Sequence, residues 1–279
     1  MKCVALTNNE PITVWTMIDL IPVTTDSEIL SDFLWSIGVA AIEEIDGPQG
    51  RTLRTSVGES PQEILSVIEQ RFPDVLTTVV GVPREVADTW RQFAEPTWIT
   101  PDIALVPAWI DAPNNCTPIF IEPLDTFGLG NHPTTVLALQ EALLHVAPGS
   151  RVLDVGCGSG VLAVAISLLR HCDVHVFDIA DSAQRAVQIN MERNSVSNIT
   201  WTSQWELLES NVVLANILAP VLQELSLNIQ KVLTPGGFVV LSGMRTEQVE
   251  EVLKRYHSCS EISRTSRDGW TAVTLQKNT

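Results

Sequence analysis

The sequence predicts an α/β protein: a mostly parallel sheet with helices on both faces, preceded by a small α+β domain. Three observations carry this. From residue 134 onward, short apolar strands alternate regularly with helices, as in a parallel sheet covered on both sides. The run Arg151-Val152-Leu153-Asp154-Val155-Gly156-Cys157-Gly158-Ser159-Gly160 reads as a buried strand turning through glycines straight into a helix. The first eighty residues follow a different order: strand, helix, strand, strand, helix, strand.

In that first part, Ile12 to Leu20 is β-rich, and Thr25-Asp26-Ser27-Glu28 offers cap residues for a helix through Phe33, Leu34 and Ile37 that stops at Gly38. Val39 to Ile45 and Arg51 to Val57 read as strands joined by the turn-forming Asp46-Gly47-Pro48-Gln49-Gly50. Pro61 opens a second helix carrying Ile64, Leu65, Val67 and Ile68, and Leu76 to Val82 closes the unit. This is the ferredoxin-like split βαβ order, which by itself assigns no activity. Residues 1–82 are therefore expected to be a small domain that recognises a partner or serves the structure alone.

Between residues 83 and 123 prolines break the periodicity, and only Ala104-Leu105-Val106 and Ile119-Phe120-Ile121 look like strands, so a structured linker is expected. The third domain spans 124–279. Helices are expected over Thr134–Val146, Val161–Leu169, Asp181–Asn194, Leu218–Val232 and Thr246–Tyr256. Strands are expected at Arg151–Val155, Val174–Phe177, Asn198–Thr202, Val212–Ala215, Phe238–Leu241, Glu261–Thr265 and Gly269–Leu275.

Composition narrows the class of function. The chain has 279 residues, of which 45% are hydrophobic, which is ordinary for a globular protein. No stretch approaches the roughly 20 apolar residues of a spanning helix, and the polar start is unlike a signal peptide. A cytoplasmic protein without membrane contact is the expectation, and its 5 widely spaced cysteines read as free thiols. No cysteine pair has metal-knuckle spacing, so no metal is expected. With 33 acidic against 17 basic side chains, the net charge of -16 argues against gripping nucleic acid by its phosphates and favours a basic protein partner. Of the 8 tryptophans, Trp90, Trp98 and Trp109 cluster between the two halves, where core packing is expected ahead of a cleft or inter-domain role.

Ligands of such sheets bind beyond the carboxyl ends of the strands, and there the informative residues lie. The loop Gly156, Gly158, Gly160 lets backbone approach a ligand closely, and the following helix points free N–H groups at it. The loop lacks the Gly-Lys-Ser/Thr ending of an ATPase loop and the G-x-G-x-x-G spacing of a dinucleotide site, so a ligand without a pyrophosphate such as S-adenosylmethionine fits better. Asp178 ends the second strand, where its carboxylate either accepts from both ribose hydroxyls or caps the next helix. Asn216 ends the strand Val212–Ala215 as either a helix cap or a group that meets substrate. In Asp125-Thr126-Phe127-Gly128-Leu129-Gly130-Asn131-His132-Pro133-Thr134-Thr135, two glycines beside Phe127 form a loop able to close over a small ligand, with Thr134 and Thr135 as caps for the helix. His132 reads as holding that loop in shape rather than as a general base, and Cys157 as a small residue in a tight turn rather than a nucleophile.

With these residues in place, the chain resembles the ribosomal protein L11 methyltransferase family, class I enzymes dependent on S-adenosylmethionine. The matching stretches are Phe127-Gly128-x-Gly130-x-His132-Pro133-Thr134-Thr135, Val152 to Ala163, Asp178 with Glu192-Arg193-Asn194, Ala215-Asn216-Ile217-Leu218-Ala219, and Leu241-Ser242-Gly243 with Gln248. Leu129 and Asn131 depart from the family pattern. The resemblance implies a Rossmann-like seven-stranded methyltransferase domain behind a ferredoxin-like domain that binds the L11 substrate. It implies cofactor contacts at Thr135, Gly156, Asp178 and Asn216, to which the glycine loop adds Gly158 and Gly160, and it places Phe127 around the methionine end and the incoming amine. The implied reaction moves methyl groups from S-adenosylmethionine to lysine and N-terminal amines of L11, with Asn216 and Phe127 as catalytic residues and the chain acting as a monomer. Other targets of the same fold, or a non-catalytic cofactor-binding scaffold, are the alternatives.

Overall fold

The computed structural model describes residues 14–36, 39, 42–47, 50–55, 61–83, 88–124, 126 and 128–279. The chain divides into two compact units, residues 1–94 and 95–279.

In the first unit, β1 (Val14–Pro22), α1 (Ser27–Ser36), β2 (Ile42–Gly47), β3 (Gly50–Thr55), α2 (Pro61–Arg71) and β4 (Val75–Pro83) follow one another. The strands form an antiparallel sheet in the order β2-β3-β1-β4, the ferredoxin-like arrangement. Alternation along β1 sorts its side chains. Ile18 and Leu20 enter a core with Leu30, Leu34, Leu53, Ile68 and Phe72, while Asp19 between them takes two bonds from the Arg54 guanidinium at 2.6 and 2.8 Å. The approach to α1 is fastened from outside the expected cap residues, because the Asp74 carboxylate accepts from the backbone N–H and hydroxyl of both Thr24 and Thr25. Those bonds hold the Asp74 carboxyl well below the usual carboxylate range.

The second unit opens with a three-stranded sheet of β5 (Thr97–Thr100), β6 (Ile103–Pro107) and β7 (Thr117–Ile121). Then come α3 (Pro133–His145), β8 (Arg151–Val155), α4 (Val161–Arg170), β9 (Asp173–Phe177), α5 (Asp181–Arg193), β10 (Ile199–Trp201) and β11 (Ser210–Asn216). The chain ends with α6 (Ala219–Glu224), α7 (Ser226–Val232), β12 (Leu233–Arg245), α8 (Val249–Leu253), β13 (Cys259–Arg267) and β14 (Trp270–Lys277). The large sheet runs β10-β9-β8-β11-β12-β14-β13, parallel from β10 to β12, with β14 antiparallel to both neighbours. Strand order reverses between β8 and β11, which places a crevice at their carboxyl ends.

The central strands are apolar on both faces, and alternate residues feed two cores. Val152, Leu214 and Val240 meet residues of α3 and α4 on one face, while Leu153, Val155, Val213 and Leu241 meet Leu222, Ile229 and Val252 on the other. Two expected elements differ. The helix expected over 218–232 divides at Leu225, where the Ser226 hydroxyl donates to the Gln223 carbonyl at 2.8 Å and so occupies the acceptor a continuous helix would offer to Leu227. The helix expected over 246–256 shortens to α8 behind a single 3₁₀ turn at Thr246–Gln248. Core packing fails for Trp98, which is 46% exposed in β5, whereas Trp205 and Trp270, outside that cluster, are buried.

Candidate active site

The glycine loop after β8 is tied to the end of β9. The N–H groups of Gly156 and Cys157 both donate to the Phe177 carbonyl, at 2.8 and 3.1 Å. Gly158 N–H donates to Asp178 Oδ2 at 2.8 Å, and Ala180 N–H donates to Oδ1 at 2.9 Å. Asp178 is thus fixed by one bond on each oxygen, and each oxygen keeps a lone pair for another donor. Ala180, not Asp178, occupies the N-cap of α5.

Gly156, Gly158 and Gly160 all have positive φ, at 74°, 53° and 76°. The sequence expectation that missing side chains make room for a ligand needs correcting at two of them. A Cβ on Gly156 would lie 2.2 Å from Ile217 Cγ2, and one on Gly160 would lie 2.8 Å from Val187 Cγ2, so the space is taken by the protein itself. The glycines let the loop pack against α5 and the segment after β11, which in turn sets where its backbone N–H groups point.

Asn216 ends β11 in register with Ser242 of β12. Its amide Nδ2 donates to Thr135 Oγ1 at 3.3 Å, and its Oδ1 is buried with no hydrogen-bond partner. Ile217, next in the chain, is clamped between two glycines: its side chain fills the space at Gly156, and its carbonyl would lie 2.4 Å from a Cβ on Gly243. Ser242 Oγ donates to the Thr134 carbonyl at 2.9 Å, joining β12 to the first turn of α3. Thr134 and Thr135, expected as caps of α3, lie inside it instead. His132 is the N-cap, its Nδ1 accepting from Thr134 N–H at 3.3 Å and lying 2.7 Å from the Thr134 hydroxyl. Burial, with the nearby Arg245 charge, pushes the His132 imidazole below its ordinary value, so it is held neutral as a cap.

The loop before α3 is joined to the glycine loop by Ser159, whose hydroxyl donates to the Gly128 carbonyl at 2.6 Å. Phe127 lies outside the described residues. Thr135, Gly156, Gly158, Gly160, Asp178 and Asn216 therefore meet along the carboxyl ends of β8, β9 and β11, at the reversal of strand order.

Two residues were missed from sequence. Asp154, in β8, is 1% exposed, and neither of its carboxylate oxygens has a hydrogen-bond partner. Burial, with the neighbouring Asp178 charge, raises its carboxyl to about 7; the Ala163 amide opposes this electrostatically without forming a hydrogen bond. An acid inside an apolar strand was the available signal. Asn190 of α5 is fully buried: its Oδ1 accepts from Glu122 N–H, and its Nδ2 donates to the carbonyls of Glu122 and Ser159. Burial, with the charges of Asp154 and Asp178, pushes the Cys157 thiol up, so no thiolate nucleophile is on offer.

A ligand such as S-adenosylmethionine, with ribose hydroxyls and a charged amino acid end, fits these residues. Asp178 retains acceptor capacity, the loop presents positive-φ backbone, and the buried Asp154 carboxylate and the buried Oδ1 atom of the partly exposed Asn216 are without partners.

Comparison with known proteins agrees. The family profile for ribosomal protein L11 methyltransferase (PrmA) matches residues 77–278. A ribosomal protein L11 methyltransferase of Streptococcus mutans serotype c is 33% identical over 211 residues, spanning 72% of this chain and 67% of that protein. One from Streptococcus pyogenes serotype M4 is 34% identical over 200 residues, spanning 68% of this chain and 63% of that protein. The match thus extends over less than two thirds of the second relative's length. The crystal structure of a ribosomal protein L11 methylase from Lactobacillus delbrueckii subsp. bulgaricus superposes with a TM-score of 0.61 at 24% identity, covering 67% of this chain and 100% of that one, and shares the fold. The chain belongs to the ribosomal protein L11 methyltransferase family, whose cofactor is S-adenosylmethionine.

Proposed function

We propose that the chain is a protein N-methyltransferase that methylates lysine and N-terminal amines of ribosomal protein L11, with residues 1–82 recognising the substrate. The observation that carries this reading is the Asn216 Oδ1 atom, buried and unpartnered at the carboxyl end of β11. An orphaned carbonyl of this kind is costly unless a ligand supplies a donor. An amine supplies one.

Asp178 and the loop 156–160 hold the cofactor in this scheme, with Thr135 fixing the Asn216 amide. When bound, S-adenosylmethionine supplies a methyl group on a positively charged sulfur, activated for displacement. The protein has then to align and to exclude water. Asn216 Oδ1 accepts one N–H of a neutral amine and so turns its lone pair into the crevice; a role for Phe127 rests on the family resemblance alone. Because a dry site beside a cation lowers an amine's pKa, a strong base is not needed, and His132 is already committed as a helix cap. The proton displaced from nitrogen leaves to water.

Two measurements test this. Labelled methyl should pass from S-adenosylmethionine to purified L11; label appearing instead on another component of an extract from cells lacking the protein replaces the target. Asn216→Ala should lower kcat on the order of 10²-fold, comparable to losing one oriented hydrogen bond at a reacting centre, with cofactor affinity little changed. Unchanged turnover removes Asn216 from the reaction.

A further inference from the structure

Arg245 is the last residue of β12, three places beyond Ser242, which pairs with Asn216. It therefore stands at the carboxyl rim of the sheet, on the side of Asn216 away from the glycine loop. Its guanidinium carbon lies 4.1 Å from the Trp270 ring centre, over the indole. Trp270 is 9% exposed and meets the His132 ring edge-on, with centroids 4.9 Å apart, so the platform is fixed by the same loop that Ser159 anchors at the other end. The Arg245 backbone is held as well, its N–H donating to Gln248 Oε1 at 2.8 Å.

Among the described residues, no carboxylate lies within ion-pair distance of this guanidinium, although acidic side chains outnumber basic ones 33 to 17. Arg54 and Arg264, by contrast, are paired with acids. Stacking engages the face of a guanidinium and leaves its in-plane N–H fork unspent, and that fork matches a carboxylate bidentately. A protein of net charge -16 repels carboxylates over most of its surface, so a stacked cation without an acid partner at this rim discriminates between acceptors.

We propose that Arg245 is a specificity-determining residue that receives a carboxylate of the acceptor polypeptide, close in sequence to the amine presented at Asn216. This rests on the reading of the crevice as a site for polypeptide amines. The test is binding rather than turnover: calorimetry of the full chain, saturated with S-adenosylhomocysteine, against short peptides with a central lysine and one aspartate moved through the flanking positions, each paired with its asparagine counterpart. In at least one register the aspartate peptide should bind about tenfold tighter, and Arg245→Gln should bring that preference to within about twofold, as expected for loss of a charge-assisted bidentate pair. Thermal unfolding and cofactor titration of Arg245→Gln establish that its fold and cofactor site persist. Absence of any aspartate preference, or a preference that survives Arg245→Gln, overturns the proposal. Labelling of L11 by the wild type, run alongside, reports separately on the proposed target: aspartate preference without labelled L11 moves the target and keeps the role of Arg245.

Discussion

At the scale of single residues, the buried Asp154 makes stability depend on pH. An acid whose folded pKa is raised to about 7 from 3.8 binds its proton more tightly in the native state. Its contribution is complete below pH 4, is lost as pH rises from about 4 to 7, and is constant above. The full swing is at most about 4 kcal/mol, from roughly three pKa units at about 1.4 kcal/mol each. Urea unfolding of the cofactor-free protein should show wild type losing stability relative to Asp154→Asn across that interval, and a difference independent of pH would dismiss the assignment. Glycines give a second residue-scale prediction, because Gly236 and Gly243 have similar φ, at 75° and 86°. A Cβ at Gly236 meets nothing within 4 Å, whereas at Gly243 it lies 2.4 Å from the Ile217 carbonyl oxygen. Gly236→Ala should therefore cost about 1–2 kcal/mol of left-handed strain alone, and Gly243→Ala visibly more, with Asn216 displaced and turnover lowered. Equal urea midpoints would show that Ile217 yields without cost.

Elements were legible wherever local chemistry decided them. Arg151–Val155 is the strand expected from Val152, Leu153 and Val155, and Asp178 and Asn216 stand at the strand ends, as the points where the apolar residues stop led one to expect. Contacts between distant segments were not legible. Nothing local to Gly156 announces Ile217, and nothing near Asn190 announces Glu122, 68 positions away. The split of 218–232 turned on one serine hydroxyl bonding back to Gln223, a choice that helical periodicity does not register. The asparagines of α5 show how such contacts assemble the site: Asn190 ties α5 to the end of β7 and to the glycine loop, and Asn194 bonds both the N–H and the carbonyl of Phe120. Asn190→Ala strands a buried N–H and two carbonyls and should cost about 2–4 kcal/mol in chemical denaturation. Asn194→Ala, in a less buried setting, should cost about half that. If the order is reversed, the tie between α5 and β7 is held by packing rather than by the amides.

Over the whole molecule, the candidate site and the proposed partner-recognition role fall in different units. Thr135, Gly156, Asp178 and Asn216 all belong to residues 95–279, and the ferredoxin-like sheet of the first unit has its own core around Ile18, Leu34 and Ile68. A chain of residues 95–279 should therefore fold cooperatively and bind S-adenosylmethionine within about threefold of the full protein, since it is of ordinary domain size and carries hydrophobic cores on both faces of its large sheet. If residues 1–82 recognise L11, the same truncation should raise KM for L11 by about 10²-fold while leaving kcat on a short lysine peptide nearly unchanged, because linking a recognition module to a reacting site raises the effective concentration of substrate by such factors. Acidic side chains outnumber basic ones in both units, so attraction of a basic partner should be screened by salt for the full chain. KM for L11 should climb between about 50 and 500 mM salt in the full chain and climb less steeply in the truncated one. An L11 KM indifferent to truncation would return the first unit to a purely structural role and leave recognition to the rim of the crevice itself.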